Sequence, residues 1–145
     1  MGIYIKCMST GSSINIGYGH FAVFRQKIAD LVDKDFSEHY RNLINPFWRS
    51  DKEWEEYDKI TEKFVRKRLC STWVIRFLYA ADYDGHLPWS ACKKLLEFIE
   101  SLNDKEEIGY CSYRVGTATT GPATIRDFKN ILEECVKNKC NMEWH

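Results

Sequence analysis

The feature that most constrains this chain is a change of hydrophobic period near residue 20. In the segment GIYIKC, residues 2–7, Ile3, Ile5 and Cys7 alternate with Tyr4 and Lys6. A second β-branched segment, SINIGY, residues 13–18, follows the turn-forming run Ser9-Thr10-Gly11-Ser12. Alternation with a period of two is the mark of a half-buried strand, so the two segments predict a β-hairpin. Beyond it the apolar residues return every three or four positions. Phe21, Phe24, Ile28, Leu31 and Val32 place an amphipathic helix over about 20–33.

Helical spacing and capping residues carry the pattern onward. A short helix over 37–43 is expected to end at Asn45-Pro46. Ser50 with Glu53 forms a capping-box pattern opening a helix over 51–68, with Trp54, Tyr57, Thr61, Phe64 and Val65 on its apolar face. Acids fill the start of that helix and bases its end, which suits the macrodipole. Ser71 caps a helix through Ala81 carrying Trp73, Val74, Phe77 and Leu78. Pro88 suits the first turn of a helix over 88–102 that faces Cys92, Leu95, Leu96, Ile99 and Leu102 inward. Residues 108–115 read as a strand. Thr124 with Asp127 then caps a last helix built on Ile125, Phe128, Leu132, Cys135 and Val136. The tail, 141–145, fits a short strand laid against the sheet, but five residues are too few for periodicity to decide. The expected fold is a single compact α+β domain over 1–145, mostly α-helical, with an N-terminal β-hairpin and a small sheet among five or six helices. A chain of 145 residues is one domain's length and buries about two-thirds of its unfolded surface without disulfides or metals.

Charge narrows the function. The 21 Lys and Arg equal the 21 Asp and Glu, so neither a strongly basic nucleic-acid binder nor a strongly acidic mimic is indicated. The basic run Lys63–Arg68 reads as a solvated helix end, so nucleic-acid contact is possible but not favoured. No apolar run approaches the roughly 18 residues of a membrane span. The start, MGIYIKCMST, lacks a basic segment followed by an apolar one. Six scattered cysteines (Cys7, Cys70, Cys92, Cys111, Cys135, Cys140), with no CxxC pair, are therefore expected as reduced thiols in a cytoplasm.

The most structured motif is DYDGHLPW, residues 82–89. Asp82, Asp84, Gly85 and Leu87 fall on the third, fifth, sixth and eighth positions of an EF-hand loop, but Ala80 and Ala91 occupy two positions that need oxygen ligands. No calcium requirement is expected, and Gly85 is expected to supply a positive φ in a turn. Gly11, Gly17 and Gly19 fit neither a P-loop nor a dinucleotide fingerprint. His20, His39, His86 and His145 are dispersed without catalytic or metal-binding spacing, so no catalytic residue, metal or cofactor is assigned. Cys135, Cys140 and His145 lie close in sequence yet match no standard zinc site, and core thiols explain them better. The aromatics point elsewhere. Five tryptophans (Trp48, Trp54, Trp73, Trp89 and Trp144) are more than one core of this size usually hides completely, and exposed Trp and Tyr mark binding centres. The candidate binding residues are Phe47, Trp48 and Arg49, in the loop after Asn45-Pro46, and His86 and Trp89. Phe47 and Trp48 have a competing role as a staple for the helix that Ser50 caps.

Three long segments, GIYIKC with IGYGHFAVFRQKIADL, DGHLPWSACKKLLEFI, and GY…TIRDFKNILEECVKNKCNMEW, resemble small uncharacterised proteins encoded by phages and prophages of Gram-positive and gut bacteria. That resemblance implies an accessory gene of a mobile element. It implies a partner that is a host protein or protein complex in the bacterial cytoplasm, with inhibition of host defence, anti-CRISPR activity included, as one form. The expected function is stoichiometric binding. The alternatives are a small Cys/His-dependent enzyme and a protein that sequesters a nucleotide or another small molecule.

Overall fold

The computed structural model describes residues 2–44, 50–114, 117–118 and 121–145. The alternating segments form β1 (Gly2–Cys7) and β2 (Ser13–Gly17), an antiparallel hairpin in which Ile3 faces Ile16 and Ile5 faces Ile14. Gly11, at φ 76°, supplies the left-handed turn residue between them. Ile3, Ile5, Cys7, Ile14 and Ile16 are all buried, so the hairpin's inner face is a wall of the core.

Six helices follow among the described residues, interleaved with short strands: α1 (Tyr18–Val32), α2 (Lys34–Ile44), α3 (Asp51–Arg66), α4 (Thr72–Tyr79), β3 (Gly85–Leu87), α5 (Trp89–Phe98), β4 (Glu107–Gly109), β5 (Cys111–Arg114), β6 (Thr117–Ala118), β7 (Ala123–Thr124), α6 (Ile125–Asn138) and β8 (Met142–Trp144). The expected α+β, mostly helical architecture is the one found. Both capping boxes form. Ser50 and Glu53 close the start of α3, and Thr124 and Asp127 close the start of α6. Where boundaries differ from the sequence pattern, a side chain supplies the reason. α2 begins earlier than 37 because the Asp33 carboxylate accepts the Asp35 and Phe36 amides at 3.1 and 3.3 Å. α5 stops short of 102, and the buried Lys129 ammonium takes the Glu100 and Leu102 carbonyls beyond its end.

The main sheet runs β3-β8-β1-β2-β5-β6, and every pairing is antiparallel. The expected strand over 108–115 is divided in two. β4 leaves to pair with β7, whereas β5 joins β2. The Tyr110 amide between them donates to Asn15 O, and Gly109 passes so close to that carbonyl that a Cβ would lie 2.6 Å from it. The tail is indeed a strand, and an interior one. β8 lies between β3 and β1 with Trp144 fully buried against Phe21 and Phe77. α1 and α6 lie against the inner side of the sheet, α2 and α4 pack on α1, and α5 packs on α6. None of the described helices is long and apolar enough to cross a membrane.

The DYDGH turn corrects one expectation. Asp84, at φ 57°, takes the left-handed conformation assigned above to Gly85. Gly85 is glycine for want of space, since a Cβ there would lie 2.0 Å from the Trp144 ring. Gly85→Ala should therefore cost about 1–3 kcal/mol, as overpacking of a rigid core does. Gly19→Ala, which meets nothing within 4 Å, should stay within about 0.5 kcal/mol of the parent. Denaturant titration of the two variants measures the difference.

Candidate functional site

The site is organised by a buried charge. Arg25 of α1 is 4% exposed, and its guanidinium lies 4.1 Å over the Phe21 ring and 5.4 Å from that of Phe77. Its Nη1 donates to Ala80 O at 2.7 Å and reaches Asp82 at 3.5 Å, and Nη2 donates to Ala81 O at 3.4 Å. Those carbonyls follow the last turn of α4, where a cation also meets the negative end of the helix dipole. The Trp144 indole donates to Ala81 O as well, at 2.8 Å, and the Tyr40 hydroxyl donates to Leu78 O at 2.9 Å. Four side-chain donor atoms thus hold the stretch from Leu78 to Ala81. Burial pulls the Arg25 pKa below its ordinary value, and burial pushes Tyr40 up to about 12.

Two hollows adjoin the anchored turn. One, of about 390 Å³, is lined by Arg25, Tyr40, Leu43, Tyr79 and Asp82. The other, of about 300 Å³, is lined by Arg76, Tyr79, Asp84 and His86. Arg25 Nε is buried beside the first hollow and has no hydrogen-bond partner among the described residues.

Past Gly85 the chain enters β3 and puts His86 on the outer face of the sheet, while Leu87 points into the core. Strand register extends that face in two rows. His86 stands opposite Glu143, which pairs with Lys6, then Ser13, then Tyr113. In the second row Tyr4 exchanges both backbone hydrogen bonds with His145 on one side and faces Asn15, then Cys111, on the other. Tyr4 and Tyr113 are 48% and 47% exposed, and His86 and Cys111 are exposed beside them. It combines aromatic rings, an ammonium, a carboxylate and imidazoles.

The sequence candidates fare unequally. His86 lies on this face. Trp89 opens α5 and is 38% exposed. Phe47, Trp48 and Arg49 lie outside the described residues. Sequence reasoning missed Tyr4, Lys6 and Tyr113, whose outward alternation was visible within single strands although their meeting was not. His86 and His145 share the outer face, and the other two histidines have partners elsewhere. His39 is buried, bonds Thr61 at 2.7 Å and stacks on Tyr57, and His20 rests edge-on against Tyr110. The group with metal-like spacing among the described residues is Cys7, Cys135 and Cys140, so Cys7 stands where His145 was considered. No family model matches this sequence, and no curated protein or solved structure matches it either.

Tyr40 supplies a pH test. Its ordinary pKa is 10.0 and its folded value is about 12, so the unfolded chain loses the phenolic proton first. Stability should be complete below pH 10.0 and fall as pH rises toward about 12. Tyr40→Phe should cost about 1 kcal/mol near neutrality, through the orphaned Leu78 carbonyl, and flatten that alkaline decline. Denaturant titration at a series of pH values reads both effects.

Proposed function

We propose that this protein binds another protein stoichiometrically, and that the outer face of the six-stranded sheet is its contact surface. The observation that carries the reading is the row His86, Glu143, Lys6, Ser13 and Tyr113, flanked by Tyr4, on a face where His86 and both tyrosines are exposed. Exposed tyrosines offer large contact area at little entropic cost, and paired opposite charges fix register more than they add affinity. A net charge of zero suits a protein partner better than a polyanion. The resemblance to phage and prophage proteins favours a host factor as that partner, in the host cytoplasm, with inhibition of a defence complex such as CRISPR interference as its form.

The first hollow favours a second reading, sequestration of a small anion. Among the described residues, its wall holds a guanidinium with one unpartnered N–H and a solvent-exposed carboxylate as its ion-pair partner. Native mass spectrometry of freshly purified protein would reveal such a ligand.

The binding reading is tested by expression in a bacterium with active CRISPR interference, followed by recovery of complexes and measurement of their stoichiometry. A defence component should be recovered at a fixed ratio and its interference suppressed. Tyr4→Ala with Tyr113→Ala should weaken the complex by about 2 kcal/mol or more, roughly thirtyfold, with the melting temperature unchanged. Full binding by that double variant would reject the surface. Turnover of a substrate, abolished by thiol alkylation, would instead establish the Cys/His enzyme.

A further inference from the structure

Three thiols converge on the other side of β1, away from the contact surface. The last turn of α6 carries Cys135, and Lys139, at φ 50°, turns the chain so that the Cys140 amide donates to Cys135 O. The Met8 amide then binds Asn141 O, and β8 runs antiparallel to β1 with Met142 opposite Cys7. This path brings the Cys7 and Cys140 sulfurs to 3.3 Å across 133 positions of sequence, and the Cys135 sulfur within 4.8 Å of both. Cys7 and Cys135 are fully buried, whereas Cys140 is half-buried and open to a small reagent.

We propose that Cys140 is a peroxide-reactive thiol that forms a disulfide with Cys7. Distance decides between this and a metal site. Two thiolates bound at about 2.3 Å to one tetrahedral zinc stand about 3.8 Å apart, whereas the Cys7 and Cys140 sulfurs are 3.3 Å apart. A disulfide is neutral and asks the two sulfurs to close from 3.3 Å to about 2.05 Å, within the reach of side-chain rotation. In the first step the Cys140 thiolate sulfur attacks one oxygen of hydrogen peroxide. The O–O bond breaks, and the departing hydroxide takes up the proton that Cys140 released, leaving water and a sulfenic acid on Cys140. The Cys7 sulfur then attacks the Cys140 sulfur, the S–O bond breaks, and the hydroxyl leaves as water with the Cys7 proton. Two thiols and one peroxide give one disulfide and two waters. Burial pushes the Cys140 thiol up, but hydrogen bonds from Ser9 and Cys7 outweigh it and leave the pKa below its ordinary value, which favours the attacking thiolate. The bond would close a loop over nearly the whole chain and fasten β8 to β1, a constraint that acts chiefly on the unfolded state.

The test treats the reduced, full-length protein with one equivalent of hydrogen peroxide, maps the peptides without reduction and follows thermal unfolding. A Cys7–Cys140 linkage should form within the monomer, raise the melting temperature by several degrees and disappear on reduction. Cys140→Ser should abolish the linkage and the shift, and Cys111→Ser, which removes an exposed thiol elsewhere, should leave both intact. Cys140→Ser keeps the buried Cys7 and Cys135, so folding is not at issue. A linkage through Cys135, a dimer through Cys111, sulfinic acid on Cys140 without a linkage, or zinc retained by the reduced protein would each overturn the assignment.

Discussion

The Arg25 guanidinium is the interaction on which the arrangement around the site depends. Burying an unpaired cation costs several kcal/mol, and Asp82, largely exposed and 3.5 Å away, offsets little of that. What holds the charge is the end of α4. Ala80 O accepts at 2.7 Å, the helix dipole is favourable there, and the rings of Phe21 and Phe77 face the cation. The same contacts join α1 to α4, and through the shared carbonyl of Ala81 they join both to Trp144 of the last strand. Lys129 repeats the device at the end of α5, where it donates to Glu100 O and Leu102 O and pairs with Asp104 at 2.6 Å. The Lys129 hydrogen bond in turn holds the Asp104 carboxyl below its usual range.

These closures explain which parts of the fold the sequence could reveal. The hairpin follows from alternation in residues 3–7, and α3 and α6 follow from Ser50 with Glu53 and Thr124 with Asp127, all signals within one short window. Helix ends set by Arg25 and Lys129 were not legible, because the cation lies on another helix in each case. The same holds for the tail. Three residues carry no period, and what places β8 inside the sheet is the fit of the Trp144 ring over Gly85, 59 positions away in sequence. Gly85 looked like a turn glycine for the same reason, since its sequence neighbours are turn formers and its crowding comes from afar.

The candidate site was less legible than the fold. His86 stood out as a polar residue in a structured motif, but the face it occupies is assembled by strand pairing from distant segments. Lys6, Glu143 and Tyr113 share that face only through pairings across most of the chain. The two sides of β1 thus carry different chemistry. Tyr4 and Lys6 belong to the outer surface, and Cys7, one residue on, belongs to the buried thiols behind it. β8 touches both, because Glu143 lies in the outer row while Met142 lies opposite Cys7.

If Arg25 fastens the end of α4 to the last strand, removing its charge should loosen distant segments together. Native-state hydrogen exchange on Arg25→Met compared with the parent protein measures this directly. The account predicts a shared loss of protection in β3 and β8, with the β1–β2 hairpin amides remaining protected. Loss confined to α1 around residue 25, or spread evenly over every element, would contradict it.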